Sequence, residues 1–427
     1  MFSFLYRLLT NLGAPVISLY LAKRRREGRE DSQRFPERLG HASKPRPNGN
    51  LVWCHAASVG EAASLLTLIE KIRALYPEVN ILVTTGTVTS ARMLEGRLPP
   101  QIIHQYIPVD RAPYVDAFLK HWKPDFVIWI ESELWPNMLE GLRNRLIPVV
   151  LLNGRMSEKS FHNWYRFKSW AREIMSTFTL SLTQTEVERS RFVALGAKPV
   201  RCIGNLKYAA EPLPADEEQL TQLKQTLAGR LCWVMASTHR GEEEMALAAH
   251  KSLMTKWPNL LTIIIPRHAV RGNEIAKQIS AQNLQLVRRS QKQNITPYTQ
   301  IYLADTMGEL GLFYRLSPIT CIGNSFVAPG GGHNPIEPAQ LGCVIIFGPH
   351  MQNFSEITHE FMLNQAALQL QNANELSFSL NRLLNSAEER AKYAQNARIL
   401  ADEKHHILDQ IMVELRPWLN MPPRRKV

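Results

Sequence analysis

A chain of 427 residues is too long for one ordinary core, so two domains are expected. With 45% hydrophobic and 21% charged residues it has the composition of a folded globular protein, which excludes a disordered or fibrous chain. Fifty Lys and Arg against 38 Asp and Glu leave a net charge of +12 and point to an anionic partner: nucleic acid, an acidic membrane face or a phosphorylated substrate.

Residues 1–22 are largely apolar and run directly into Lys23-Arg24-Arg25-Arg26. As one helix, 22 residues reach about 33 Å, roughly a hydrocarbon core. Arg7 and Asn11 weaken a clean span and Pro15 kinks it. The basic cluster follows the apolar run, whereas a secretory signal carries its charges in front. The expected reading is a membrane anchor over residues 1–24, spanning or lying in the interface, with the rest of the chain on the cytoplasmic side beside anionic headgroups. A buried first helix is the competing reading.

From residue 51, short apolar runs at 51–55, 81–85, 126–130, 148–152 and 180–184 alternate with helix-like segments. That alternation predicts βαβ units and a parallel sheet with helices on both faces. A Pro-containing, acidic break follows at 211–216, and the runs resume at 231–236, 261–265, 284–287, 300–303, 318–322 and 344–347. The expected organisation is therefore α/β throughout, with doubly wound domains at 25–207 and 208–427. Five scattered cysteines (Cys54, Cys202, Cys232, Cys321 and Cys343) show neither metal spacing nor a disulfide framework.

Ligands of open α/β sheets bind beyond the carboxyl ends of the strands, and two such edges facing each other make an interdomain cleft. The predicted strand ends lead into Ser58-Val59-Gly60-Glu61, Glu131-Ser132-Glu133, Pro266-Arg267-His268 and Met307-Gly308-Glu309. Glu61 reads either as the return half of a capping box with Ser58 or as a carboxylate that takes a proton from a sugar hydroxyl. Thr306/Glu309, Asn334/Glu337 and Thr185/Glu188 share that spacing. Glu131 is a structural or a functional carboxylate. Lys207 is a cation reaching the cleft or a solvated linker residue. Arg267 forks onto a phosphate or carboxylate, or is plain surface. His239, His268 and His333 lack metal spacing and read as polar packing or another non-metal role. Gly330-Gly331-Gly332 can turn tightly before Asn334 as N-cap, Pro335 as first helical residue, Ile336, and Glu337 as third. Such a turn reads as an anion site or as an ordinary capped helix.

Taken together, the segments 34–40, 55–61, 131–136, 153–157, 204–207, 237–243, 266–268, 305–310 and 331–337 resemble those of the Kdo transferases of lipopolysaccharide synthesis. The resemblance runs nearly the full length; the glycine run is one residue longer than the pair usual before His-Asn-Pro. It implies the GT-B fold, two Rossmann-like domains with an interdomain cleft, behind an N-terminal membrane-anchoring helix at the cytoplasmic face of the inner membrane. It implies inverting, metal-independent transfer of Kdo from CMP-Kdo to the lipid A precursor lipid IVA at an anionic membrane surface, with no cofactor and no nucleic acid. Glu61 then corresponds to the general base, and Glu131 and Lys207 to residues that assist the transition state. Pro266, Arg267, Met307, Gly308, Glu309, Asn334, Pro335, Ile336 and Glu337 correspond to CMP-Kdo contacts. The rival readings are a sugar-nucleotide epimerase of similar fold, which needs no anchor, and a non-catalytic membrane-surface protein, which needs no carboxylates at strand ends. An NAD enzyme is disfavoured, since no Gly-x-Gly-x-x-Gly follows the first strand.

Overall fold

The structure, a computed structural model, describes residues 2–131, 133–209, 211–403 and 406–421, with backbone alone at Val59. The chain divides into two compact units, one comprising Met1–Ala210 with His406–Val427 and the other Glu211–His405.

Each unit holds a seven-stranded parallel sheet. In the first, β1 (Leu51–Ala56), β2 (Asn80–Thr85), β3 (Ile103–Tyr106), β4 (Phe126–Ile130), β5 (Val149–Gly154), β6 (Leu180–Thr183) and β7 (Val200–Cys202) take the order β3-β2-β1-β4-β5-β6-β7. In the second, β8 (Cys232–Thr238), β9 (Leu261–Pro266), β10 (Leu286–Arg288), β11 (Ile301–Leu303), β12 (Ile319–Ile322), β13 (Val344–Phe347) and β14 (Ala367–Gln369) take the order β10-β11-β9-β8-β12-β13-β14. Every residue of β1, β4, β8 and β13 is buried, which is why these strands read as continuous apolar runs. Trp53, Phe118 and Trp129 fill the first core, and Trp233, Ile264 and Ile346 the second. In each sheet the chain first builds one side of its first strand and then crosses to build the other. The crevice that this reversal creates lies at the carboxyl ends of β1 and β4, and of β8 and β12.

Three departures from expectation have identifiable causes. β3, β7 and β14 were not expected; they are outer strands of three or four residues with mixed side chains, too short to show a pattern. The last helix, Ile407–Leu419, belongs to the first unit and not to a domain over 208–427. Trp418 stacks on Phe126 at 5.5 Å, Asn50 Nδ2 donates to the Met421 carbonyl at 2.7 Å, and Ile407 packs where a Cβ on Gly204 would stand 2.7 Å away. The basic residues Arg424, Arg425 and Lys426 lie outside the described residues.

The third departure is at the N-terminus, where one 22-residue helix is replaced by two, Phe2–Leu12 and Ala14–Arg26, bent by 61°. Pro15, which has no N–H to donate, stands in the first turn of the second helix. No single helix among the described residues is long and apolar enough to cross a membrane. One face of the first helix is pinned to the first unit: Tyr6 donates to Asp110 Oδ2 at 3.1 Å, and Trp170 Nε1 donates to Ser3 Oγ at 3.1 Å. The other face leaves Phe4 and Leu12 each 71% exposed, with Leu5, Leu8 and Leu9 between them.

Burial also sets a pH dependence. It lowers His55 and His104 to about 3 and His250 and His333 to about 4. The unfolded chain binds protons at these rings below pH about 6.5 while the native chain does not, so stability falls as pH falls toward 4. Asp110, raised by burial to about 6, opposes this with a single proton. The urea midpoint is expected to drop between pH 7 and 4.5; a flat or rising midpoint contradicts this.

Candidate active site

In the first unit, β1 runs through Ala57 into the helix Val59–Leu75. Ser58 caps that helix, its Oγ accepting from Glu61 N at 3.3 Å, and Ala57 N donates to Glu61 Oε2 at 2.7 Å. Glu61 is 6% exposed, and its Oε1 accepts no hydrogen bond among the described residues. Ser58 therefore caps the helix as expected, but Glu61 returns to the N–H of Ala57, one residue before the cap, using one carboxylate oxygen and leaving the other for a ligand. Behind it, the His55 ring lies 4.3 Å from Trp129 and 5.4 Å from Trp135, with Nδ1 2.9 Å from Thr84 Oγ1. Burial keeps this imidazole neutral, so it acts as a wall rather than a charge.

Glu131 follows β4 directly with φ 58°, and its N–H donates to the Leu152 carbonyl at 2.9 Å. A left-handed conformation costs an ordinary residue about 1–2 kcal/mol, and such strain tends to sit at functional positions. Ser132 lies outside the described residues. Glu133, two residues on, carried no assigned role in the sequence. More than a third of its surface is open, yet the low-dielectric wall behind it, and then the Glu61 carboxylate, push its pKa up. That coupling puts Glu133 within electrostatic reach of Glu61.

Lys207 is held by a relay of side-chain amides. Asn153, also left-handed at φ 58°, accepts from Leu206 N at 2.9 Å through Oδ1 and from Gln184 Nε2 at 3.1 Å through its carbonyl. Gln184 Oε1 accepts from Asn205 Nδ2 at 3.0 Å, and Asn205 Oδ1 accepts from Lys207 N at 3.0 Å. The resulting turn, Leu206–Ala209, packs against the helix that Glu61 begins. Glu61, Glu131 and Lys207 therefore share the carboxyl edge of the first sheet.

In the second unit, Pro266 ends β9, and the exposed Arg267 follows, its N–H donating to the Thr238 carbonyl at 3.1 Å. Met307, 64% exposed, and Gly308, at φ 85°, form the turn after β11. Glu309 does not close a capping box: its carboxylate accepts from Thr306 Oγ1 and from the Arg289 guanidinium.

The glycine turn is corrected in two respects. The helix after it is only Ile336–Gln340, with Pro335 at the cap position, while Asn334 Oδ1 accepts from Ile336 N at 3.1 Å and Asn334 Nδ2 donates to Glu337 Oε1 at 3.3 Å. One turn of helix has little macrodipole. The glycine N–H groups are also spent internally, Gly331 on the His350 carbonyl at 3.1 Å and Gly332 on the Asn324 carbonyl at 2.7 Å. The glycines are required by packing: at φ 73°, a Cβ on Gly332 would stand 2.1 Å from Met351 Sδ.

What holds this turn leaves no mark in the local sequence. Glu242 is fully buried, and its two oxygens accept from the N–H groups of His239 (2.9 Å), Asn324 (2.7 Å), Ser325 (2.9 Å) and Phe326 (3.1 Å). Next to it the ring centroids of His239 and His333 are 5.6 Å apart and those of His239 and His268 are 5.9 Å apart. These rings come from separate loops, so no sequence spacing announces them. Burial, and then Arg267, lower His333 to about 4. Among the described residues no group of three or more His, Cys, Asp or Glu could hold a metal ion.

A family model described as 3-Deoxy-D-manno-octulosonic-acid transferase (kdotransferase) matches residues 33–210, the segment that carries Glu61, Glu131 and Lys207. A 3-deoxy-D-manno-octulosonic acid transferase of Rickettsia bellii is 35% identical over 410 residues, covering 96% of this chain and 97% of its own. The chain belongs to the Kdo transferase family. It is thus a glycosyltransferase of a family that acts in lipopolysaccharide biosynthesis. The transferase of Haemophilus influenzae is 33% identical over 429 residues, covering 98% of this chain and 99% of its own. Among solved structures, the UDP-GlcNAc 2-epimerase of Neisseria meningitidis aligns with 86% of this Kdo transferase and all of its own chain at TM-score 0.56 and 13% identity. That likeness is one of fold, two parallel-sheet α/β units, and it explains why an epimerase was a natural rival reading.

Proposed function

We propose that the chain transfers Kdo from CMP-Kdo to lipid IVA with inversion and without a metal ion. The observation that carries this reading is Glu61 at the reversal point of the first sheet, one oxygen held by Ala57 N and the other left for a ligand. Glu61 Oε1 takes the proton of an acceptor glucosamine hydroxyl as that oxygen bonds to the ketosidic carbon of Kdo. The bond from that carbon to the CMP phosphate oxygen breaks on the opposite face, and its electron pair leaves with CMP. Arg267 and Lys207 supply positive charge to the departing phosphate, with Glu131 assisting and Pro266, Met307, Gly308, Glu309 and the segment Asn334-Pro335-Ile336-Glu337 holding the donor. Because the Gly331 and Gly332 N–H groups are internally bonded, the phosphate relies on these cations more than on the glycine backbone.

The chain works at the cytoplasmic face of the inner membrane, with the bent helix pair lying in the interface. Its exposed Phe4, Leu8, Leu12, Val16 and Leu19, followed by the basic run at 23–26, support that placement. The test is CMP release from CMP-Kdo in EDTA. Release that requires lipid IVA supports the proposal; no release with lipid IVA, together with epimerisation of UDP-GlcNAc, favours the rival.

A further inference from the structure

A cavity of about 520 Å³ lies in the first unit beside the second N-terminal helix, and the transfer chemistry above makes no use of it. Leu21, Phe35, Leu39 and Tyr114 give it apolar walls, and Arg25 and Arg26 also line it. The charges around it fall into two groups. Lys23 and Arg29 pair with Glu27 at 3.9 and 3.4 Å, Arg24 and Arg38 with Glu30 at 2.7 and 3.2 Å, and Arg34 with Glu37 at 2.9 Å. Among the described residues the Arg25 side chain reaches only Ser32 Oγ at 3.4 Å and the face of Phe35 at 5.4 Å. Among the described residues neither Arg25 nor Arg26 has a carboxylate partner within ion-pair distance.

Two guanidiniums without counter-charge beside an apolar pocket match a phosphodiester carried on an acyl chain. Each guanidinium forks onto phosphate oxygens, and the chain removes apolar wall from water. A sugar nucleotide would leave those walls wet. The volume suits a single small ligand, within the roughly 300–1,000 Å³ usual for such sites. The same helix pair exposes Leu12, Val16, Leu19 and Tyr20, which places the cavity next to a surface suited to lipid. We propose that this cavity binds one anionic bilayer phospholipid, its phosphate on Arg25 and Arg26 and an acyl chain along Leu21, Phe35, Leu39 and Tyr114. The proposal rests on the membrane association set out above.

Native mass spectrometry of the full chain in detergent, with phosphatidylglycerol as probe, tests it. The protein is expected to retain one phosphatidylglycerol and no phosphatidylcholine. Arg25→Gln with Arg26→Gln should lower retention about 30-fold. Ser18→Trp, which fills the cavity without changing charge, should abolish retention. Lys23→Gln with Arg29→Gln removes as much charge outside the cavity and should retain the lipid. Equal loss in that control, retention by Ser18→Trp, or no retention by the unaltered chain overturns the proposal. Displacement of phosphatidylglycerol by one equivalent of lipid IVA also overturns it, since the cavity would then belong to the acceptor. CMP release from CMP-Kdo, measured on the same preparations in detergent, reports the transfer reading separately.

Discussion

A Glu61→Gln chain is expected to fold and bind CMP-Kdo normally, yet to transfer Kdo about 10²–10⁴-fold more slowly, the usual contribution of a positioned base. Glutamine keeps an oxygen for Ala57 N at the position now 2.7 Å away, so the cap survives while the base is lost. The companion change separates the two roles of this residue. Ser58→Ala removes the other half of the cap, the acceptor of Glu61 N, and should cost about 1 kcal/mol of stability with far less effect on turnover. If both variants lost stability alike and both kept near-normal turnover, Glu61 would be a helix cap only.

Glu242→Ala should have the largest effect on stability. Four backbone N–H groups converge on this fully buried carboxylate, and three of them belong to the loop after β12. Each buried donor left without a partner costs about 1–3 kcal/mol, so the sum is comparable to the whole stability of a domain. Hydrogen exchange should show residues 323–332 deprotected first, with loss of donor binding, while the first unit keeps its protection. Glu242→Gln presents an N–H₂ to two of the four donors and should rescue only in part. A Glu242→Ala protein within 1 kcal/mol of the unaltered chain, with its loop protected, would contradict this role.

The legibility of this chain follows from what each residue faces. β1, β4, β8 and β13 are covered on both sides, so burial wrote itself into the sequence as unbroken apolar runs. β7, as Val200-Arg201-Cys202, lies at a sheet edge and has no fully buried residue, so nothing local marked it. The fate of the last helix was hidden because its partner, Phe126, is nearly three hundred positions away.

The site shows the same division. Ser58 and Glu61 were readable as a cap because capping is local, three residues apart. That only one oxygen of Glu61 is spent on the cap depends on Ala57 N, and had to be seen. The glycine turn misled because composition marks where a backbone is permissive but does not show where its N–H groups go. Here they go to Asn324 and His350. The link from Glu242 to that loop spans more than eighty residues, and so does the approach of His239 to His333. Neither leaves a spacing to read.

Whether Glu61 is the base of a Kdo transfer to lipid IVA is decided by a reaction of the purified full chain with CMP-Kdo and lipid IVA in EDTA, followed by mass spectrometry of the lipid. Lipid IVA is expected to gain the mass of Kdo, one CMP appearing per sugar added, and Glu61→Gln nearly to abolish the gain. Lipid IVA unchanged in mass while CMP-Kdo is intact, or equal transfer by the Glu61→Gln chain, would contradict that expectation.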